Sequence, residues 1–248
     1  MSGAALALRQ IGYENRAFWR NPPAAFFTFA FPLLFMVIFN VLFGADAAQF
    51  FTPAIIVFGV VTATYTNLAM TVTIARDEGI LKRLRGTPLP GWAYLAGRIG
   101  HAILIALLLV VIVAAFGAFA YGVEVPWEHL PAMVLVLAVS ATAFSALGLA
   151  LSGLIPNADA APAVVNATIL PVLFISNVFF QMDNAPDWLD AVSHVLPTRH
   201  FADAMLGFYG LGDTAGGGVP WLEIGVIALW GVLGVVAAMR FFRWEPRR

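Results

Sequence analysis

Six charged residues lie between Arg76 and Arg85, and each flank runs more than twenty residues with no charge except Arg98. Such side chains can pair with charges on a partner protein. A nucleotide site of the P-loop type needs a lysine that directly follows a glycine. Lys82 is the only lysine in the chain, and it follows Leu81. The sequence therefore excludes a P-loop on this chain and leaves docking or membrane topology as the role of the charged stretch.

The remaining reactive side chains do not form a recognisable catalytic pattern. There is no cysteine and no His-Glu-x-x-His pair for zinc. Ser152-Gly153 only approaches an intramembrane serine protease motif, and no histidine is placed to activate Ser152. Small residues of this kind are typical of close helix packing. The sequence disfavours a membrane enzyme and predicts no metal site and no cofactor on this chain.

The apolar stretches carry uncharged polar residues but no Asp, Glu, Lys or Arg in their centres. This pattern disfavours proton- or ion-coupled transport, which usually needs ionisable groups inside the bilayer. Many of these polar residues are expected to bond neighbouring helices, while others could line a path for a weakly charged solute. The candidate path residues are Asn40, Asn67, Asn166 and Asn177.

The composition requires lipid as the solvent for much of the surface. Hydrophobic residues make up 61% of the chain and the mean hydropathy is +0.87, against roughly 45–50% apolar residues in soluble domains. Spans of about 20 apolar residues are predicted at 24–44, 53–75, 92–121, 130–155, 160–182 and 221–242. The predicted fold is an all-α polytopic membrane protein with six transmembrane helices, in a single domain over 1–248.

The basic residues predict the orientation of these spans. If both termini are cytoplasmic, only Arg199 lies outside and the other twelve lie inside, as the positive-inside rule requires. The inside set is Arg9, Arg16, Arg20, Arg76, Lys82, Arg83, Arg85, Arg98, Arg240, Arg243, Arg247 and Arg248.

The segments outside the spans have their own patterns. Residues 1–23 are expected to form an interfacial helix, because Arg9, Arg16 and Arg20 share one helical face and apolar residues share the other. Residues 183–220 are expected to form two short external helices, on or dipping into the outer leaflet, and a glycine-rich linker. The remaining divisions are 24–75 for helices 1–2, 76–91 for the cytoplasmic segment, 92–182 for helices 3–5 and 221–248 for helix 6 and the tail.

The cytoplasmic segment between helices 2 and 3 has the pattern of a short amphipathic helix. Ile80, Leu81 and Leu84 fall within one arc, and Gly86 with Pro88 can end the helix. One interpretation is a docking element whose leucine face is buried by a partner protein. The alternative is an ordinary loop whose positive charges only fix the topology.

The stretch from Arg76 to Pro90 resembles the Gly-x-Leu-Lys-Arg-Leu-x-x-Thr-Pro signature of the ABC-2 type permeases, the membrane subunits of ATP-binding-cassette exporters. Ile80 stands where many members have threonine, and Asn177 where relatives often have glycine. Further matching stretches cover nearly the whole chain: Phe31-Pro32-Leu33-Leu34-Phe35, Ile175-Ser176-Asn177-Val178-Phe179-Phe180, Asp187-Trp188-Leu189, Leu196-Pro197-Thr198-Arg199-His200-Phe201 and Phe242-Arg243-Trp244-Glu245.

The resemblance implies a permease in a bacterial plasma (inner) membrane that pairs with a second permease copy, identical or homologous, and with two copies of a separate ABC ATPase. ATP and Mg would bind the ATPase, and no nucleic-acid partner is implied. The segment 76–91 would be the coupling helix. Its expected coupling residues are Arg76, Asp77, Glu78, Gly79, Leu81, Lys82, Arg83, Leu84, Arg85, Gly86 and Pro88.

The resemblance is strongest to exporters of drugs and antibiotics, so an amphiphilic small molecule is the expected substrate. Polysaccharide or lipid-linked glycan export is the second expectation. A channel or secondary carrier that needs no ATP, and a membrane scaffold or assembly factor, remain as alternatives from other classes. Transport by the purified chain alone would favour the carrier. Loss of a complex without loss of transport would favour the scaffold.

Overall fold

Helices form all of the regular structure in residues 3–87, 89–179, 186–212, 218–242 and 244–245, the parts of the chain that the computed structural model describes. In chain order the α-helices are α1 (Gly3–Trp19), α2 (Pro22–Phe43), α3 (Ala48–Val61), α4 (Asn67–Asp77), α5 (Ile80–Arg85), α6 (Gly91–Tyr121), α7 (Leu130–Leu154), α8 (Ala161–Phe174), α9 (Asp187–Ser193), α10 (Pro197–Phe208) and α11 (Trp221–Phe241). A π-helical turn over Thr62–Thr66 joins α3 to α4 in one continuous helix.

Five helices in the described ranges are long and apolar enough to cross a membrane, since a span needs about 20 residues. They are Pro22–Phe43, Ala48–Asp77, Gly91–Tyr121, Trp127–Leu154 and Trp221–Phe241. Their lengths and compositions confirm an all-helical, multi-pass membrane protein.

The predicted span at 160–182 differs from the other five. Its helix, α8, has 14 residues and ends at Phe174, which is about 21 Å of helix against roughly 30 Å of hydrocarbon. Turns follow over 175–179, and 180–182 lie outside the described residues. The count of six spans is therefore not confirmed, because the chain leaves the helical path before α8 is long enough to cross alone.

One end of the helix bundle, called the basic end below, gathers the ends of α4, α7 and α11. Arg76 of α4 bonds the last turn of α7, and Gly153 of α7 lies against the backbone carbonyl of Phe241 in α11. A Cβ atom at residue 153 would clash with that carbonyl. Ser152-Gly153 is thus a site of close helix packing, as its small side chains predicted.

The other end of the bundle, called the opposite end, gathers the starts of α3 and α7 and the end of α10. The side chain of Gln49 donates a hydrogen bond to the carbonyl of Tyr209 at 2.9 Å. The rings of His129 and Phe208 lie 5.9 Å apart. Burial raises the pKa of Tyr209 to about 12, so its phenol stays neutral at this end.

Helix α10 begins in the middle of the bundle and runs toward the opposite end. Trp230, near the centre of α11, donates its indole N–H to the carbonyl of Val195 at 2.8 Å. Phe201 of α10 is fully buried, with its ring 6.2 Å from that of Phe144 inside α7. The predicted short helices are present as α9 and α10, and α10 lies within the bundle because its apolar face packs against α7 and α11.

Helix α1 lies along the first half of α6. Gly97 of α6 is in contact with Gln10, and Arg98 forms an ion pair with Glu14 at 3.4 Å. Arg9 and Arg16 are exposed on the far side of α1. Two of the three arginines predicted to share a face thus lie on α1 and are exposed, and the position of α1 in a membrane interface stays a prediction.

Candidate coupling segment and transport cavity

The candidate coupling segment, residues 76–90, begins where α4 turns sharply into α5. Gly79 makes that turn with φ of 72°, in the left-handed region that side chains with a Cβ rarely adopt. The six-residue α5 then runs to Arg85. Pro88 and the side chain of Arg85 lie outside the described residues.

Arg76 does not face outward from this segment. Only 1% of its surface is exposed, and its guanidinium donates to the carbonyl oxygens of Ser152 and Ile155, both at 2.6 Å. These carbonyls lie in and just after the last turn of α7, where helical partners are missing. In this structure Arg76 caps α7 from the neighbouring helix and presents no surface to a partner protein.

Asp77 contacts the same loop as Arg76. Its Oδ2 atom accepts a hydrogen bond from the backbone N–H of Ala158 at 3.0 Å. Two adjacent residues at the end of α4 therefore hold the connection between α7 and α8.

The two leucines expected to meet a partner differ in the structure. Leu81 has no exposed surface and packs with Leu68, Val72 and Tyr94. Leu84 is only partly buried against the same cluster. In this structure the chain's own core covers Leu81, so a partner protein would reach it only after that core opens, and its role as a partner contact stays a prediction.

The exposed side of the segment is formed by other residues. Ile80 is 39% exposed, although the sequence placed it on the same apolar arc as Leu81. The exposed set is Glu78, Ile80, Lys82, Arg83, Gly86 and Thr87. An apolar residue surrounded by charged residues of both signs is a surface that a partner protein can cover.

The C-terminal motif lies against the same segment. Trp244 contacts Gly91, and its ring packs edge-on against Phe242 at 5.1 Å. Trp244 also lines a small cavity of 310 Å³ with Leu84 and Leu89. Sequence spacing could not place these residues together, since more than 150 residues separate them.

A cavity of 480 Å³ lies between α2, the π-helical turn and α8. Phenylalanines are half of its lining residues: Phe31, Phe35, Phe39, Phe58, Phe174 and Phe179. Thr62, Thr66 and Asn166 supply its polar groups. An apolar wall with a few polar groups suits an amphiphilic ligand of moderate size.

A second cavity of 260 Å³ adjoins the first through Phe31, Phe58, Thr62 and Thr66, which line both. Asn67 and Thr71 extend its polar side toward the basic end. The π-helical turn places Thr62 and Thr66 along this edge, and π-turns are frequent at functional sites because they widen the helix locally.

The four candidate path asparagines do not form one site. Asn166 lines the larger cavity and Asn67 the smaller one. Asn40 is 4% exposed, donates to the carbonyl of Met36 at 2.7 Å and lines neither cavity. Asn166 and Asn67 thus border open space, Asn40 is packed between helices, and their part in a solute path stays a prediction.

Asn177 belongs to a turn rather than to a cavity wall. Its φ of 60° puts it in the left-handed region, where glycine is free and asparagine is the best tolerated alternative. Its side-chain amide donates to Asp203 of α10 at 3.0 Å. Asparagine is thus compatible with this backbone and adds a bond between the turn after α8 and α10.

A charged cluster on α10 was missed by the sequence reasoning. Arg199 donates to Asp203 at 2.7 Å and lies 3.8 Å from Asp190, with only 12% of its side chain exposed. The four-residue spacing of Arg199 and Asp203 on a helix was the available signal. Arg199 was considered only as the one basic residue outside, and its pairing with Asp203 was not predicted.

A second apolar crevice of 350 Å³ lies on the other face of α8, between α7, α8, α10 and α11. The Tyr65 hydroxyl and Thr168 Oγ1 are hydrogen-bonded at 3.0 Å at its edge. Helix α8 is therefore flanked by open space on two sides. No group of three or more potential metal-ligating residues was found in the described part of the chain.

Comparison with known proteins identifies the family of this chain. The profile of the ABC-2 type transporter family matches residues 10–209, which include the candidate coupling segment, the cavities of 480 Å³ and 260 Å³, and α10. The chain is a member of the ABC-2 type transporter family. The resemblance to this family that the sequence predicted is thereby confirmed for the chain.

Several relatives of the permease carry names that describe transport. It is 25% identical over 193 residues to the probable multidrug ABC transporter permease YbhR of Escherichia coli K12, covering 77% of this chain and 50% of that protein. It is 25% identical over 189 residues to the inner membrane transport permease YadH of the same strain, covering 73% of each. Identity to the daunorubicin resistance ABC transporter permease protein DrrB1 of Streptomyces coeruleorubidus is 28% over 225 residues, with 86% and 77% covered. The match thus spans half the length of YbhR and about three quarters of the other two.

Proposed function

We propose that this permease is the non-catalytic membrane subunit of an exporter that moves amphiphilic small molecules with energy from a separate ATPase. The observation that carries the proposal is the phenylalanine-walled cavity with a threonine edge, built on the same continuous helix, Ala48–Asp77, that leads into the coupling segment. A displacement of that segment can reach the cavity through one helix.

The proposed ATPase contact is centred on Ile80. Ile80 is the exposed apolar side chain of α5, and Glu78, Lys82 and Arg83 surround it. An interface of this kind gains most from its buried apolar centre, while rim charges contribute about 0–1 kcal/mol each. ATP and Mg would bind the ATPase, and two ATPase subunits and two permease copies would form the complete exporter.

The proposed orientation puts the basic end in the cytoplasm, with both termini there, because basic residues near span ends resist translocation. An even number of crossings then requires a sixth. We place it in α8 together with α10. Helix α8 starts at the basic end, and α10 continues from the middle of the bundle to the opposite end.

The proposed substrate is an amphiphilic compound such as a drug or antibiotic. The name of DrrB1 refers to resistance to daunorubicin, a planar amphiphile, and that of YbhR to multiple drugs. Aromatic walls bind flat apolar surfaces well. A hydrated polysaccharide would find few polar partners on these walls, so glycan export is the less favoured alternative.

Transport by the reconstituted complex tests this function. The permease is co-expressed with candidate ABC ATPases from the same genome, purified and placed in liposomes, and daunorubicin movement is followed by its fluorescence. We expect the ATPase to copurify and transport to require ATP. Transport by the permease without ATPase would instead support a carrier or channel. An ATPase complex that moves none of a panel of amphiphilic dyes would reject the proposed substrate class.

A further inference from the structure

We propose that Arg76 and Asp77 transmit movement of the coupling segment to α8, which then shifts along the wall of the 480 Å³ cavity. This inference rests on the proposed function, because it assumes that an ATPase displaces the coupling segment. Neither residue touches solute in this arrangement. Both are positioning residues that join two parts of the permease.

The first link is between α4 and the end of α7. The Arg76 guanidinium donates two hydrogen bonds of 2.6 Å to the carbonyls of Ser152 and Ile155. A cation at a helix C-terminus is favoured by the helix dipole, and more so where water is excluded. Arg76, Ser152 and Ile155 are all at least 99% buried. The contact is therefore held in a fixed geometry.

The second link reaches the start of α8. Asp77 accepts a hydrogen bond from the backbone N–H of Ala158 at 3.0 Å. Within the same loop, the Asn157 side chain accepts from the N–H of Ala160 at 2.9 Å, one residue before α8 begins. The loop 155–160 is thus folded back on itself and tied to α4, so that a displacement of α4 is passed to the base of α8.

The coupling segment is itself fixed to α4. Leu81 of α5 is fully buried with Leu68 and Val72 of α4 and with Tyr94 of α6. A force applied to the exposed face of α5 cannot move α5 alone without opening this packed cluster. It is passed instead to the end of α4, where Arg76 and Asp77 lie.

Helix α8 buries one face, through Ala161, Val165, Ile169 and Leu173, and leaves its other residues facing open space. Ala161 and Val165 are fully buried against Ala69 of α4 and Ile155. Beyond them, Asn166 and the rest of the helix are flanked by the two open cavities of 480 Å³ and 350 Å³. Close-packed interiors resist displacement, whereas open space on both sides permits it. Movement that enters at the base would therefore change the position of the upper part of α8.

The experiment measures α8 directly and needs no substrate. Asn166→Cys is introduced into this cysteine-free chain, where residue 166 is exposed and lines the cavity. The permease–ATPase complex is labelled with a fluorescent maleimide, with and without ATP plus vanadate. We expect a several-fold change in labelling rate in the parent complex. Arg76→Gln and Asp77→Ala should abolish that change while binding the same amount of ATPase.

Matched variants separate transmission from general damage. Asp77→Asn keeps an oxygen that can accept the Ala158 N–H and should retain the response. Asp159→Asn removes an exposed charge of the loop 155–160, outside the proposed ATPase contact, and should also retain it. A full response in both Arg76→Gln and Asp77→Ala would overturn the proposal.

If Arg76→Gln or Asp77→Ala does not insert into the membrane, a reversible covalent link between residues 77 and 158 provides a second test. Asp77→Cys and Ala158→Cys are first joined by a short bis-methanethiosulfonate crosslinker, which forms a reducible disulfide with each thiol and releases methanesulfinate. Asn166 is kept in this variant, and the remaining thiol of Leu170→Cys, an exposed position on α8, is then labelled with a spectroscopic maleimide probe. The change in the probe signal on α8 that ATP plus vanadate causes should be present while the crosslink is intact and absent after the crosslink is reduced. A response that is the same in both states would overturn the proposal. So would ATP hydrolysis by the parent complex without any change at residue 166. A parent permease that binds no ATPase would overturn the proposed function, and this inference with it.

Discussion

The side-chain amide of Asn177 lies 3.0 Å from Oδ1 of Asp203 and donates to it across the gap between the end of α8 and α10. The other carboxylate oxygen of Asp203 accepts from Nε of Arg199 at 2.7 Å. One carboxylate therefore joins the left-handed turn after α8 to the first turns of α10. Its loss should loosen both.

The single variant Asp203→Ala should destabilise the permease more than the double variant that carries Arg199→Met and Asp203→Leu. The single change leaves the Arg199 cation partly buried without its main partner. Such losses reach about 3–5 kcal/mol for fully buried pairs, and we expect about 1–3 kcal/mol because 22% of the Asp203 side chain is exposed. Replacement of both partners by apolar residues removes the uncompensated charge. Thermal unfolding in detergent, followed by tryptophan fluorescence, measures the order, and equal losses would contradict this account.

Gly79→Ala should lower stability and ATPase capture, whereas Gly86→Ala should change neither strongly. A Cβ at residue 79 meets no neighbouring atom, so the penalty comes from φ of 72° alone, about 1–2 kcal/mol for a left-handed residue with a side chain. Gly86 has φ of −83° and can accept a Cβ. The two variants are compared by melting temperature and by pull-down of the ATPase. If Gly79→Ala changed neither the melting temperature nor the amount of ATPase captured, the turn at residue 79 would be able to relax to another backbone conformation.

Leu81→Ala should reduce the stability of the permease, whereas Ile80→Ala should reduce its binding of the ATPase. Leu81 is fully buried in the permease, so its truncation should cost about 2–5 kcal/mol of stability. Ile80 is exposed, so Ile80→Ala should leave the melting temperature unchanged and weaken ATPase capture, by about 1–3 kcal/mol if the interface buries it fully. Undiminished capture by a folded Ile80→Ala permease would remove Ile80 from the proposed docking surface.

Asn166→Leu should alter the range of exported compounds, and Asn40→Leu should not. Asn166 supplies one of the polar groups of the larger cavity. Asn40 is buried, and its Oδ1 atom has no hydrogen-bond partner among the described residues, so an apolar replacement removes a group that is costly to bury. Export of a panel of amphiphilic dyes compares the two variants. A changed range with Asn40→Leu alone would place the path along α2 instead.

Lys82→Cys should resist an impermeant thiol reagent added outside intact cells, and Glu128→Cys should react. Both positions are exposed in the structure and lie at opposite ends of the bundle. The chain has no other cysteine, so each label reports one site. Labelling of residue 82 from outside would reverse the proposed orientation.

The sequence by itself determined the class of the protein, its family and most of its spans. Apolar runs such as those in α2 and α6 have little alternative to a membrane helix, because backbone polar groups in lipid must be bonded within the segment. The arginines at one face of α1 and the signature around Gly79 are also local patterns. Each depends on neighbours within a few residues, and these can be read along the chain.

Only the tertiary structure decided which residues of each local pattern are buried by other helices. Leu81 and Ile80 are adjacent and similarly apolar, yet one is buried and the other exposed, because α5 folds back against Leu68 and Val72 of α4 and Tyr94 of α6. Arg76 was read as part of a charged surface, and it is instead held by two carbonyls of α7 more than seventy residues away. Hydrogen bonds and burial between distant segments have no periodicity in the sequence. Their partners are fixed only when the helices pack together.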